Sequence, residues 1–187
     1  QFFEIYDVID EYHHATDILV KYLKLYQIIE YLITRTILVK IQKNSSNQNL
    51  FLREMTSLSG YSDFDKTNFK VVFGSNETDL GKWFKTKLDS NADLKITIER
   101  ILYPNESKTI DSTNLNACYN AFLLLIYKIR NTIVHNKESE IHLTIHNIQL
   151  KTELLKLIKD LLENVLLKKV VAFENAITYE NKNLALY

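Results

Sequence analysis

The stretch Tyr127-Lys128-Ile129-Arg130-Asn131-Thr132-Ile133-Val134-His135-Asn136 closes an apolar run, Ala117 to Val134, that reads as a helix. At about 100° per residue, Phe122, Ile129 and Ile133 fall within about 60° of Ile126 and form a core-facing stripe. Arg130 lies only about 40° to one side of that stripe. A guanidinium so close to the core calls for a carboxylate partner or a bound anion. Asn131 and His135 are four residues apart and share a second face with Leu124 and Tyr127. That face mixes apolar and hydrogen-bonding groups, as a contact surface does. His135 adds a side chain that titrates near neutrality.

Working outward, the chain reads as all-α. With 187 residues and 46% hydrophobic content it can bury one real core, and a single domain over 1–187 is expected. Three Gly and one Pro are too few for the tight turns of an all-β fold. Residues 2–43 read as helix with a break near His13-His14-Ala15-Thr16. Tyr22, Leu25, Tyr26, Ile29, Leu32, Ile33 and Ile37 give a long helix from Asp17 to Lys43, the spine of a bundle. Asn44 to Asn49 is a polar breaker.

The middle of the chain, 50–110, is expected to be a short irregular insertion between the halves of a bundle of four to five main helices. Within it Leu50–Leu58 suggests a short helix stopped by Ser59-Gly60. Asn68–Phe73, β-branched and aromatic, suggests an extended piece or a buried loop. Thr78 or Asp79 would cap a helix carrying Leu80, Trp83, Phe84 and Leu88, with the Trp83-Phe84 pair in the core rather than stacked on bases. A helix from Asp93 to Leu102 ends before Pro104. Asp111, Ser112 and Thr113 are candidate caps for the motif helix, Asn114–His135. Ile141, Leu143 and Ile145 alternate with His142, Thr144 and His146, which predicts a short extended piece. A last helix is expected from Ile148 to Phe173.

The formal net charge is zero, so no overall field draws the chain to nucleic acid. Charge is uneven: Glu4, Asp7, Asp10, Glu11 and Asp17 precede a basic helix with Lys21, Lys24, Arg35, Lys40 and Lys43, a face that suits either phosphates or plain solvent. Cys118 is the only cysteine and reads as a packed thiol, which leaves no disulfide framework. No run reaches the roughly 18–20 apolar residues of a membrane span, and no signal peptide opens the chain. A reducing cytoplasm and no membrane partner are expected. The opening Gln1 suits a segment of a longer chain. His142 and His146 could ligate a metal only on one helix, against the alternating pattern, and no third ligand is evident. No cofactor motif is present.

Arg130-Asn131-Thr132-Ile133-Val134-His135 resembles the signature of the HEPN superfamily, an Arg followed after four to six residues by a His, with the favoured Asn directly after the Arg. Leu25-Tyr26-Gln27-Ile28-Ile29-Glu30-Tyr31-Leu32 resembles the first long helix of many HEPN domains. The resemblance implies a HEPN-like helical bundle and a metal-independent endoribonuclease, with Arg130, Asn131 and His135 catalytic. It further implies an RNA substrate, a homodimer through the motif helix, and a toxin–antitoxin or antiphage setting with an antitoxin or regulatory chain. Glu30, on the long early helix near its apolar stripe, is a candidate partner for Arg130; Tyr127 is a supporting candidate. An Arg and a His without metal ligands suit 2′-hydroxyl transesterification, in which a base takes the 2′ proton and an acid protonates the departing 5′-oxygen. One motif offers one histidine, so two chains would supply both. The runner-up is a non-catalytic helical module binding a nucleotide, RNA or protein partner; a third reading is a structural bundle with a chance Arg/His pair.

Overall fold

A helix of 27 residues, Ile18–Asn44, runs through the centre of the molecule and begins where Asp17 accepts the Leu19 N–H at 2.7 Å. The structure is a computed structural model and describes residues 3–58, 66–74, 78–104, 106–134 and 142–173. Its helices in chain order are α1 (Phe3–His14), α2 (Ile18–Asn44), α3 (Gln48–Leu58), α4 (Lys66–Phe73), α5 (Thr78–Ser90), α6 (Ala92–Leu102), α7 (Leu115–Val134), α8 (Ile145–Leu150), α9 (Thr152–Asp160) and α10 (Leu167–Val171), with a π-helical turn, Leu161–Leu166, joining the last two. The fold is all-α, and no strand occurs among the described residues.

One continuous set of buried side chains links α2, α4, α5, α6, α7 and the C-terminal helices. Its middle is Phe122 of α7, whose ring meets Phe73, Trp83, Phe84 and Tyr119 at centroid distances of 5.8 to 6.5 Å. Trp83-Phe84 therefore belongs to the core. Two glycines are required by this packing. At Gly81 a Cβ would stand 2.8 Å from the Leu115 carbonyl oxygen, so α5 lies on α7 only because no side chain intervenes. Gly74, at φ 93°, ends α4 in the left-handed region and presents its carbonyl to the Tyr119 hydroxyl at 2.5 Å.

The middle region is not an irregular insertion. Leu80, Phe84 and Leu88 of α5 and Leu94, Ile98, Ile101 and Leu102 of α6 are buried and build a wall of the core. The 68–73 stretch is helical: Phe69, Val72 and Phe73, spaced three and four apart, all face inward, and that burial outweighs a weak local preference for extended chain. The cap of α7 is Asn114, whose side chain accepts the Asn116 and Ala117 N–H groups at 2.9 and 3.1 Å, while Asp111 instead accepts from Thr113.

Of the expected extended piece after residue 140, residues 142–144 lie outside any helix, with Thr144 extended at φ −117°, ψ 162°, but they form no strand, and the chain is already helical at Ile145. A reciprocal Thr144–Asn147 capping box opens α8 at Ile145. The expected single last helix breaks at Lys151, whose φ −104°, ψ 66° is not helical. Past it the stripe Leu154, Leu157, Ile158, Leu161, Leu162, Val165 and Leu166 stays buried through the π turn. Ser59-Gly60, Ile141 and the tail beyond Phe173 lie outside the described residues.

Candidate functional site

Tyr22, Tyr26 and Glu30 follow one another at four-residue steps on α2, so they share one face. Opposite them on α7 stand Ile126 and Arg130, also one turn apart. The buried Tyr22 hydroxyl donates to the Ile126 carbonyl at 2.8 Å, the same carbonyl that the helix pattern assigns to the Arg130 N–H. One turn on, the Arg130 guanidinium carbon lies 5.9 Å from the centre of the Tyr26 ring, within cation–π range. Arg130 Nη1 also donates to Asn131 Oδ1 at 3.1 Å.

Glu30 completes the group. Tyr26 and Arg130 both lie near enough to its carboxylate to favour the charged form. Its side chain reaches solvent on one side, while protein packed around the carboxyl on the other drives its pKa above the ordinary value; Arg130 and the Tyr26 hydroxyl pull the opposite way without prevailing. Burial, and then the Glu30 charge, raise the Tyr26 pKa, against a downward pull from Arg130 and with a further push from Tyr127. Arg130, Tyr127, Asn131 and Leu124 are half-buried, neither sealed in the core nor free in solvent.

The sequence candidates Glu30, Tyr127, Arg130 and Asn131 thus converge at one end of the α2–α7 contact. His135 lies outside the described residues. The chain returns to this end of α7 beyond the undescribed stretch, where the Leu143 N–H bonds the Thr132 carbonyl at 2.9 Å. Sequence reasoning missed Tyr26 as a site residue, counting it only in the apolar stripe. Its step of four to Glu30 was the available signal.

Other candidates separate from this group. Lys24 is paired with Glu11, and Lys21 sits 5.2 Å from the Tyr12 ring centre, so acidic α1 occupies the start of the basic face of α2. His13 and His14 are exposed. His146 is exposed on α8, whereas His142 precedes that helix and keeps its Nδ1 buried. No group of three or more His, Cys, Asp or Glu able to hold a metal ion occurs among the described residues. Cys118 is fully buried, and burial raises its thiol pKa. Among the described residues no helix is long and apolar enough to cross a membrane.

This arrangement can present a permanently charged, planar donor whose orientation is set by a ring beneath it, an amide beside it and a carboxylate at its edge. Such a group suits a phosphate. Comparison with protein-family models, with curated proteins and with solved structures finds no significant match. The likeness to HEPN domains therefore rests on the residues themselves.

Proposed function

We propose that the protein is a HEPN-like, metal-independent endoribonuclease that acts as a homodimer on RNA. The observation that carries this reading is the placement of Arg130: half-buried at the end of α7, over Tyr26, bonded to Asn131 and beside Glu30. In the reaction the ribose 2′-oxygen bonds to the adjacent phosphorus as the bond to the 5′-oxygen breaks, leaving a 2′,3′-cyclic phosphate. The motif histidine of one chain takes the 2′ proton, and that of the other protonates the departing 5′-oxygen. Arg130 stabilises the charge gathering on the non-bridging oxygens, and Asn131 holds the guanidinium or the substrate. Glu30 keeps Arg130 aimed before RNA arrives.

The half-buried face of Leu124, Tyr127 and Asn131 supports assembly through α7, because a two-fold contact there brings two motifs to one groove. A cytoplasmic toxin–antitoxin or antiphage system, with an antitoxin or regulatory chain, is the setting this activity implies. The experiment compares Arg130→Ala and His135→Ala with the parent protein, after circular dichroism has shown both to be folded. Each should lose RNA cleavage by about 100-fold or more.

Glu30 beside Arg130 also favours a second reading, a non-catalytic module in which the pair binds a nucleotide, RNA or protein partner. That module would keep its affinity in His135→Ala and show no cleavage at any enzyme concentration.

A further inference from the structure

Helix α7 carries two cations, Lys128 and Arg130, and neither an Asp nor a Glu. With Ile126 at zero and about 100° per residue, its buried side chains fill the arc from about 220°, at Ala121, round to about 60°, at Leu123. The rest is an open arc, holding the half-buried Asn120, Leu124, Tyr127 and Asn131. Arg130 stands at one edge of it, near about 40°, and Lys128 at the other, near about 200°. Arg130 Nη1 leans across the arc to Asn131 Oδ1 at 3.1 Å. Lys128 is half-buried and makes no hydrogen bond, ion pair or ring contact among the described residues. Its neighbours three and four residues away, Leu124, Leu125, Asn131 and Thr132, are uncharged. Lys82, Lys85 and Lys156 each meet a carboxylate at that spacing.

We propose that Lys128 is a substrate-binding residue whose ammonium holds an RNA phosphate flanking the one at Arg130. The proposal rests on the ribonuclease reading for its effect on cleavage, but not for its effect on RNA binding. The two cations stand about 160° apart around the helix, so each takes its own phosphate. A strand crossing the open arc from edge to edge meets both. The substrate is therefore an oligonucleotide, with phosphates beyond the one that is cut. The chemistry divides the same way. The planar fork of Arg130 suits the phosphate on which charge develops, and the hydrated point charge of a lysine suits one that is only held. A lysine kept for its stem alone would lay its methylenes on the protein and leave the ammonium in water.

The test compares Lys128→Gln and Lys128→Arg with the parent in the whole chain, after circular dichroism and sedimentation have shown the same fold and assembly. The probe for binding is a single-stranded 2′-O-methyl oligoribonucleotide, which has no free 2′-hydroxyl and cannot be cut. In Lys128→Gln the slope of log affinity against log salt should fall in magnitude by about 0.7, the share of one phosphate in a single strand. Affinity should then drop about 5-fold at 0.1 M salt and hardly at all near 1 M. Lys128→Arg, which keeps the charge, should keep the parental slope. With cleavable RNA, Lys128→Gln should raise KM about 5-fold at unchanged kcat, as loss of uniform binding does. On a dinucleoside monophosphate, whose single phosphate is the one cut, it should match the parent.

A Lys128→Gln protein with the parental salt slope overturns the proposal, whatever its activity. If the slope falls while no RNA is cut by any form, the binding role stands and the ribonuclease reading falls. If RNA is cut and Lys128→Gln lowers kcat equally on the dinucleoside monophosphate, the lysine acts at the scissile phosphate and the proposal falls alone. Failure of the parent to bind the oligonucleotide ends both. Should Lys128→Gln lose fold or assembly, Lys128→Met, which keeps the packing of the stem, replaces it in the same comparison. Loss of fold or assembly in that variant too makes the ammonium structural and overturns the proposal.

Discussion

The Tyr22 hydroxyl donates to the Ile126 carbonyl at 2.8 Å, so a side chain of α2 is fastened to the backbone of α7 one turn before Arg130. Tyr22 is wholly buried, and the carbonyl also serves the helix's own ladder. Tyr22→Phe should therefore cost about 1 kcal/mol and not the larger penalty of an orphaned acceptor. Urea unfolding should show a lower midpoint at an unchanged slope.

Gly81→Ala sets two effects against each other. Alanine in a helix gains about 1 kcal/mol over glycine. Its Cβ would stand 2.8 Å from the Leu115 carbonyl oxygen, a backbone atom that cannot turn aside. Overpacking of this kind costs about 1–3 kcal/mol, so the clash should prevail and the variant should be the less stable form by up to about 2 kcal/mol. Thermal or urea unfolding gives the sign directly.

Glu30 predicts a pH dependence. Its pKa is raised in the folded protein above the ordinary glutamate value of 4.5, chiefly by burial of the carboxyl. The native state then holds that proton more tightly than the unfolded chain. This contribution to stability is complete below about pH 4.5 and is lost as pH rises through the folded value. Glu30→Gln should remove that part of the slope, seen as urea midpoints that vary less as pH rises above about 4.5.

Much of this was legible in the sequence. The three-and-four spacing of Tyr22, Leu25, Tyr26, Ile29 and Ile33 behind Asp17 marked α2 to within a residue at each end. Phe122, Ile126 and Ile129 are fully buried, as the angular argument about α7 required, while Ile133 of the same stripe is half-buried against the core. Glu30, read as a partner for Arg130, is its electrostatic neighbour. What stayed hidden depended on distant contacts. Val71, Val72 and Phe73 look extended locally and become helical because Phe69 and Phe73 pack on α2 and α7. The start of α8 was masked by a capping box built on Asn147 in place of the usual Glu or Gln. Lys151 breaks the last helix with neither Gly nor Pro to announce it.

Assembly has its own check. Leu124 is half-buried on the same helix face as Tyr127 and Asn131. A charge placed there should oppose a two-fold contact through α7 without entering the core. Sedimentation should show the parent as a dimer and Leu124→Glu as a monomer that has also lost RNA cleavage.

The most direct measurement is incubation of single-stranded RNA and of matching DNA with the protein in excess chelator, with the ends of any products identified. The account predicts that RNA is cut to fragments bearing 2′,3′-cyclic phosphates and that DNA, without a 2′-hydroxyl, stays whole. Arg130→Ala should slow the RNA reaction by about 100-fold or more. Cleavage that stops with chelator, that attacks DNA equally, or that survives intact in Arg130→Ala would contradict it.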